Sequence, residues 1–279
     1  MTYNQLLLDG QKRLKESNLD VSIAKTFLAE SASLTLDLLY ANLTELPSKK
    51  VIKKYIEYLN SYIRENKPLQ YLLKKAYFYN LEFYVDENVL IPRPETEGIV
   101  EIFTNYYKSN YLKIIDVGTG SGCLAITLNK LFPNSDVYGV DISKKALKVA
   151  KKNNKIHNTN VTFMKSDLFS GVTNKFDVIV ANLPYVSTKE NLDDFVLKEP
   201  KGALFAGSEG IDLYQRFFNE VYNYLNEDYL IIIEHGFQQK DLINAIIKKA
   251  NPKSRITTLK DLNGKDRYTI VSGDSNELI

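Results

Sequence analysis

Strand-like and helical patterns alternate along the C-terminal part of this sequence, and that alternation restricts the fold more than any other feature. Short apolar runs rich in Val, Ile and Phe predict strands, and the segments between them carry apolar residues at helical spacing. Alternation of this kind is typical of a doubly wound α/β fold, a sheet with helices on both faces. We expect seven strands, at residues 113–117, 136–140, 161–165, 176–181, 229–234, 256–260 and 267–272. Helices are expected at residues 124–131, 143–157 and 213–225.

The N-terminal part of the chain carries a different pattern. Apolar residues recur at helical spacing from Tyr3 to Leu73 and predict four or five short helices. Turn-forming residues mark the breaks between them, at Ser17-Asn18, Pro47-Ser48 and Lys67-Pro68.

An aromatic stretch at residues 77–85 predicts a β-hairpin with Asn80 at its turn. We therefore divide the chain into a small all-α domain (residues 1–75), a β-hairpin linker (76–90) and an α/β domain (91–279).

Two prolines flank Arg93 in the segment Leu90-Ile91-Pro92-Arg93-Pro94-Glu95-Thr96-Glu97. Because proline fixes its own φ angle, we expect this segment to be extended around Arg93. Thr96 is then placed to cap a helix over residues 97–107. Arg93 and Glu95 either belong to a rigid linker or help to shape a functional site.

The charge balance argues against a large electrostatic surface. The 279 residues include 36 basic and 34 acidic side chains, a net charge of +2, so no strong field steers the chain towards nucleic acid or a membrane.

The sequence starts without the segments of a secretion signal and contains no run that could span a bilayer, so we expect a cytoplasmic protein. Cys123 is the only cysteine, and His157 and His235 are far apart, so we expect no disulfide and no metal site. Cys123 and His235 are interpreted as packing residues.

A glycine-rich turn, Asp116-Val117-Gly118-Thr119-Gly120-Ser121-Gly122, follows the first strand of the α/β domain. Glycines let the backbone approach a ligand, and the N-terminus of the next helix offers free N–H groups. The spacing departs from a dinucleotide fingerprint because Cys123 stands where the third glycine would be, and no lysine follows to form a P-loop. On its own this turn is equally consistent with a ligand loop and with a tight turn.

Acidic residues follow the next two strands. Asp141 lies where a carboxylate can accept hydrogen bonds from both hydroxyls of a ribose, cap the helix that begins near Ser143, or do both. Asp167 lies where it could accept from the exocyclic amine of an adenine, with Leu168 or Phe169 against the ring. With the glycine turn, these residues predict a nucleoside site without a pyrophosphate.

The fourth strand is followed by Asn182-Leu183-Pro184-Tyr185. Asn182 and a backbone carbonyl held in place by Pro184 can accept the two hydrogens of a planar –NH2 group, while Tyr185 packs against its face. A nitrogen-binding site beside a nucleoside site predicts S-adenosylmethionine as the cofactor and an N-methyltransferase as the activity.

These motifs resemble those of the HemK-type glutamine methyltransferases, which modify peptide-chain release factors. The resemblance extends over nearly the whole chain and is most specific in the proline-arginine segment, residues 90–97. It also includes Pro68-Leu69-Gln70-Tyr71, Glu199-Pro200 with Ala203-Leu204, residues 207–214, Glu234-His235-Gly236 with Gln238, and residues 261–267.

The resemblance implies a class I methyltransferase fold and a role for each motif. It implies that S-adenosylmethionine is bound by Gly118, Thr119, Gly120, Ser121, Gly122, Asp141, Leu168 and Asn182. It implies that Asn182, Leu183, Pro184 and Tyr185 hold the glutamine amide of a Gly-Gly-Gln loop, with Asn182, Pro184 and Tyr185 as the catalytic set. The helical domain would recognise the release factor, so that the enzyme supports translation termination. We expect a monomer that contacts neither nucleic acid nor a membrane.

A second family shares part of this pattern. The form Asn-Leu-Pro-Tyr is common in the ribosomal RNA adenine dimethyltransferases, whereas the release factor enzymes usually have proline at the position of Leu183, often tryptophan at that of Leu168 and glycine at that of Asn80. An adenine amine also presents two hydrogens and a ring for Tyr185. The RNA enzymes carry their helical domain after the glycine turn, and here it comes first. Glutamine methylation is therefore the first hypothesis, and ribosomal RNA adenine N6-methylation is the alternative.

Overall fold

The structure is a computed structural model that describes residues 1–107 and 111–273. The chain divides into two compact units: the first is Met1–Lys74 with Asp193–Lys198, and the second is Lys75–Leu192 with Glu199–Ile279. The α/β domain expected from the sequence runs to residue 279, and its residues 274–279 lie outside the described range.

The first unit is helical, and the three predicted breaks coincide with the end of the first helix and with both ends of the fourth, whereas the break between the second and third helices was not predicted. Thr2 begins the first helix with a capping box, in which its hydroxyl accepts from the Gln5 N–H while the Gln5 side chain accepts from the Thr2 N–H. Ser48 caps the fourth helix through the Val51 N–H. The helices are α1 (Tyr3–Glu16), α2 (Ile23–Ala32), α3 (Leu36–Ala41), α4 (Lys49–Glu65) and α5 (Leu69–Leu73).

Close approach of α1 to α4 organises the core of this unit. A Cβ atom at Gly10 would lie 1.8 Å from the Tyr55 hydroxyl oxygen, so only glycine fits there. The buried Tyr55 hydroxyl donates to the Leu6 carbonyl. Residues 193–198 belong to this unit because Phe195 packs on Tyr62 with ring centroids 4.7 Å apart.

The predicted hairpin opens the second unit. Strands β1 (Ala76–Phe78) and β2 (Leu81–Phe83) pair antiparallel. Tyr79 and Asn80 both have positive φ angles, 48° and 59°, as a two-residue hairpin turn requires. Phe78 and Phe83 are fully buried in the core of the second unit, so the hairpin packs onto the α/β layers.

The rest of the second unit is a seven-stranded sheet with helices on both faces, which confirms the predicted fold class. The strand order is β5-β4-β3-β6-β7-β9-β8, with β9 antiparallel to its two neighbours and the other pairs parallel. The strands are β3 (Lys113–Val117), β4 (Asp136–Asp141), β5 (Thr162–Lys165), β6 (Phe176–Ala181), β7 (Leu225–Glu234), β8 (Arg255–Lys260) and β9 (Asp266–Ser272). The helices are α6 (Glu97–Tyr106), α7 (Cys123–Leu131), α8 (Lys144–His157), α9 (Asp212–Glu220) and α10 (Lys240–Ala250).

Two elements differ from the sequence-based expectation. Helix α9 ends at Glu220, a 3-10 turn follows at Val221–Tyr224, and Leu225 already pairs with Phe176 of β6, so β7 begins earlier than predicted. Helix α10 was not predicted, although Ile243 and Ile247 are fully buried at helical spacing.

The strand order places a topological switch point between β3 and β6. Beyond β3 the chain turns to β4 on one side, and β6 lies on the other. Val117 and Ala181, the last residues of the two strands, are directly paired. The glycine turn and Asn182 therefore leave the sheet side by side, at the crevice where open α/β sheets bind ligands.

Asn153 of α8 joins the hairpin end to the glycine turn. Its amide exchanges hydrogen bonds with both the N–H (2.8 Å) and the carbonyl (2.9 Å) of Tyr84 and also donates to the Ser121 carbonyl (2.8 Å). The side chain is fully buried, so these backbone groups depend on it.

We expect Asn153→Leu to lower the free energy of unfolding by about 3 kcal/mol, because it removes the partner of one buried and two partly buried backbone groups. Urea unfolding followed by circular dichroism measures the change. Lys151→Leu, on the exposed side of the same helix, is the matched control and should change stability by less than about 0.5 kcal/mol. Equal stability of the two variants would contradict this role.

Candidate active site

The glycine turn has a backbone that side chains would strain. Gly118, Gly120 and Gly122 have φ angles of +80°, +54° and +81°. The N–H groups of Gly118 and Thr119 both donate to the Val140 carbonyl at 2.9 Å. The turn is therefore held against the end of β4, with its backbone open to a close-lying ligand.

Asp141 holds this turn from the neighbouring strand. Its Oδ2 atom accepts from the Gly120 N–H at 3.0 Å, and its Oδ1 atom accepts from the Ser143 N–H at 2.8 Å. Ser143 itself caps α8 through the Ala146 N–H, so Asp141 is not the helix cap. Burial raises the pKa of Asp141, and these two N–H groups limit the rise.

Asp116, at the base of the turn, is a buried carboxylate that ionises near neutral pH. Thr119 donates its hydroxyl to Asp116 at 2.6 Å, and the Ala125 N–H in the first turn of α7 also stabilises the charged form. Burial outweighs both contacts and raises the pKa of Asp116 to about 7.

A cleft at the switch point brings several predicted residues together. Its lining consists of Leu90, Pro92, Arg93, Thr96, Asp116, Gly118, Thr119, Gly120, Ser121, Cys123, Leu124 and Asn182. Asp141 lies outside this lining and reaches it through Gly120. Leu168 also lies outside, since its side chain is buried in the core cluster with Val117 and Val140. The Asp167 carboxylate is paired with Arg216 at 2.9 Å.

Asn182 is held by a chain of hydrogen bonds that the sequence did not reveal. Its Nδ2 atom donates to the Thr96 hydroxyl at 2.8 Å, and that hydroxyl donates to Glu234 Oε2 at 2.7 Å. The Tyr185 hydroxyl donates to Glu234 Oε1 at 3.0 Å. Thr96 stands at the predicted N-cap position of α6, but its side chain makes no cap hydrogen bond, because the hydroxyl is engaged between Asn182 and Glu234.

Two acceptor atoms at this loop remain available. Among the residues that the structure describes, none donates a hydrogen bond to Asn182 Oδ1 or to the Leu183 carbonyl. The Leu183 side chain is buried against the glycine turn, where its Cδ2 atom would lie 3.0 Å from a Cβ atom at Gly118. The loop therefore carries two acceptors without a donor from the described residues, and Asn182 itself lines the cleft.

Gln239 supports the same loop from the start of α10. Its amide nitrogen donates to the carbonyls of Tyr185 (2.9 Å) and Glu209 (3.0 Å), and its Oε1 accepts from the Gly236 N–H. Gly210 lies against Tyr185, since a Cβ atom there would be 2.1 Å from the Tyr185 carbonyl oxygen. The sequence analysis named Gln238, but that side chain is exposed, and it is the buried Gln239 that makes these contacts.

Arg93 is fixed by a buried carboxylate. Its guanidinium forms an ion pair with Glu199 at 2.5 Å and also donates to the Ile91 carbonyl. The second oxygen of Glu199 accepts from the Ile91 N–H at 2.9 Å. Arg93 and Glu199 together hold the proline segment in the wall of the cleft, which gives Arg93 the shaping role that the sequence left open.

Cys123 carries a free thiol at the cleft, whereas both ring nitrogens of His235 are engaged. Burial raises the pKa of the Cys123 thiol to about 12, so the thiol stays protonated. His235 is fully buried, with its ring nitrogens bonded to the Gly236 carbonyl and the Thr269 hydroxyl.

Among the helices of residues 1–107 and 111–273, none combines the length and the hydropathy that a membrane-spanning helix needs.

The fold and the cleft together define a class I methyltransferase. A sequence model of the family described as "Methyltransferase domain" matches residues 108–273. A methyltransferase structure from Pyrococcus furiosus has a TM-score of 0.54 to this chain, at 19% sequence identity, and the match covers 70% of this chain and 89% of that one.

Sequence relatives identify the family to which this chain belongs within the methyltransferase class. The release factor glutamine methyltransferase of Streptococcus pneumoniae is 36% identical over 78% of this chain and 80% of its own length. That of Bacillus cereus is 34% identical over 91% of this chain and 93% of its own length. The chain belongs to the release factor glutamine methyltransferase family.

The raised pKa of Asp116 predicts a stability that depends on pH. Between about pH 4 and pH 7 the folded state retains a proton that the unfolded chain has released, so stability should fall as pH rises through this window. The slope from this one group is at most about 1.4 kcal/mol per pH unit.

Asp116→Asn should remove that contribution, and urea unfolding at pH 5, 6 and 7 measures the difference in slope. Asp136→Asn, at the exposed start of β4, is the control and should keep the slope of the unmodified protein. A slope in Asp116→Asn equal to that of the control would show that Asp116 is already ionised at pH 5.

Proposed function

We propose that this chain transfers a methyl group from S-adenosylmethionine to the side-chain amide nitrogen of glutamine in the Gly-Gly-Gln loop of a peptide-chain release factor. The relatives at 34–40% identity carry the name release factor glutamine methyltransferase. The observation that carries the proposal is the pair of available acceptors, Asn182 Oδ1 and the Leu183 carbonyl, beside the glycine turn. A primary amide has two N–H donors, one for each acceptor.

The residues at the switch point fit an adenosyl cofactor. The positive φ angles of Gly118, Gly120 and Gly122 leave the backbone bare on the cleft side, and Asp141 ends the adjacent strand where a ribose would be bound. Asp116 lines the cleft, and a buried carboxylate there is a suitable partner for the ammonium group of a methionine moiety. The predicted ring contact at Leu168 has less support, because that side chain packs in the core.

The site residues act on the amide by orientation. S-adenosylmethionine supplies an electrophilic methyl group with a good leaving group. An amide nitrogen is a poor nucleophile because its lone pair is delocalised into the carbonyl. Hydrogen bonds from its two N–H groups to Asn182 and Leu183 increase the electron density on nitrogen and direct it into the cleft, while Tyr185 packs against the amide plane. Orientation of this kind can contribute as much as roughly 7–11 kcal/mol, and proton loss can follow transfer.

The helical unit is proposed to recognise the release factor. It carries exposed apolar side chains, among them Leu38 and Tyr40 on α3 and Leu46 after it. Exposed apolar groups of this kind are suited to a protein partner. The net charge of +2 gives no comparable support for extensive phosphate contacts, so RNA methylation is the weaker candidate.

The test is transfer of labelled methyl from S-adenosylmethionine to a purified release factor, with a factor whose Gly-Gly-Gln glutamine is alanine and with ribosomal RNA in parallel. We expect label on the intact factor alone. Asn182→Ala should abolish transfer, because Asn182 holds the amide, while cofactor affinity falls far less than transfer does. Asn105→Ala, an exposed position on α6, is the matched control. Label on RNA, or full activity of Asn182→Ala, would overturn the proposal.

A second variant tests the cofactor site by itself. Asp141→Ala removes the ribose acceptor and frees the Gly120 N–H, so we expect the dissociation constant for S-adenosylmethionine to rise about 10- to 100-fold in calorimetry. Asp136→Ala, at the exposed start of the same strand, should bind as the unmodified protein does. Unchanged affinity in Asp141→Ala would exclude the predicted ribose contact.

A further inference from the structure

The hydroxyl of Thr96 connects Asn182 to a buried carboxylate. Thr96 precedes α6 and is only 4% exposed, Asn182 follows β6, and Glu234 ends β7 with 1% exposure. The contacts Asn182 Nδ2 to Thr96 Oγ1 (2.8 Å) and Thr96 Oγ1 to Glu234 Oε2 (2.7 Å) form one continuous chain.

The chemistry of these groups fixes the direction of each hydrogen bond. In the structure the Thr96 hydroxyl donates to Glu234, and the carboxylate form of Glu234 can only accept. The Thr96 oxygen must then accept from Asn182, and only the Nδ2 end of that amide can donate. If the amide were rotated by 180°, Oδ1 would face an oxygen with no proton to offer, and a hydrogen bond would be lost.

Donors and charged groups surround Glu234 and act on its pKa in both directions. Burial raises its pKa and Glu95 adds to the rise, whereas the donors Thr96 and Tyr185 and the positive charge of Arg267 oppose it. Its backbone carbonyl accepts the Tyr214 hydroxyl, which fixes the end of β7. Each carboxylate oxygen therefore accepts from a protein donor, and the side chain is only 1% exposed.

We propose that Thr96 and Glu234 are positioning residues that hold the Asn182 amide with its oxygen towards the acceptor substrate. This inference rests on the proposed function and deepens it, because the fixed polarity makes the site a receptor for an N–H donor. A glutamine amide satisfies this polarity. A glutamate carboxylate in its place would meet two acceptor oxygens and be repelled.

Thr96→Val and Thr96→Ser separate positioning from packing. Valine has nearly the shape of threonine but no hydroxyl, so the Asn182 amide loses its fixed orientation. We expect kcat for methyl transfer to fall about 10- to 100-fold, with the KM for S-adenosylmethionine unchanged within about twofold. Serine keeps the hydroxyl and should restore kcat to within about threefold. Thr104→Val lies on α6, the helix that follows Thr96, and its hydroxyl donates to a local carbonyl. It is the matched control and should leave both constants unchanged.

A specificity measurement tests the polarity. A release factor carrying Gly-Gly-Glu should be a poor competitive inhibitor of the unmodified enzyme, and Thr96→Val should bind it at least about fivefold more tightly, because the freed amide can turn its NH2 group outward. A Thr96→Val enzyme with unchanged kcat and unchanged rejection of the Gly-Gly-Glu factor would overturn the proposal, as would a Thr96→Ser enzyme as slow as Thr96→Val.

A readout without substrate separates this inference from the proposed function. In protein labelled with 15N at asparagine, the side-chain NH2 resonance of Asn182, assigned by its absence in Asn182→Ala, should move in Thr96→Val and in Glu234→Gln but not in Thr104→Val. If no release factor is methylated while these shifts occur, the proposed function fails and the positioning network stands. If methylation proceeds and the resonance is the same in all variants, the positioning network fails.

Discussion

The parallel pairing of β3 with β6 is the interaction on which the site depends. The two strands are distant in sequence, and their register sets Val117 opposite Ala181. Both strands bury alternate side chains in the two cores on opposite faces of the sheet, so a slip of one residue would place each side chain in the wrong core. This register brings the glycine turn and Asn182 out of the sheet at one height, which no local property of either loop could achieve.

The next strand adds the polar support. Ala181 pairs with Ile233 of β7, so Glu234 leaves the sheet beside Asn182. A buried carboxylate is costly unless its oxygens accept hydrogen bonds, and here Thr96 and Tyr185 supply one each. Tyr185 contacts Glu234 directly and Asn182 contacts it through Thr96, and both residues belong to the same acceptor loop. The free energy that would be lost by burying Glu234 alone is thus offset by contacts that fix the loop.

The sequence predicted the elements and the residues at the strand ends, but not the contacts between them. Strands with β-branched runs, the glycine turn and the Asn80 turn all have local signatures. Thr96 had a local explanation as a helix cap. It does stand at the N-cap position of α6, but its hydroxyl is used by residues 86 and 138 positions away and caps nothing. Such partners become neighbours only through the strand order. Gln239 was missed because Gln238 beside it has the same side chain, and nothing in the sequence shows which of the two is buried.

The side chain of Leu183 packs against the glycine turn and does not identify the substrate. It replaces the proline that is usual in release factor enzymes and gives the loop the form seen in RNA adenine enzymes. Its side chain, however, is buried against Gly118, and its N–H faces the Tyr214 hydroxyl. The group left for a substrate is its carbonyl, which proline and leucine both provide, and Pro184 still restricts its backbone. The side chain at this position therefore reports on packing against the glycine turn and carries little information about whether the acceptor nitrogen belongs to glutamine or to adenine.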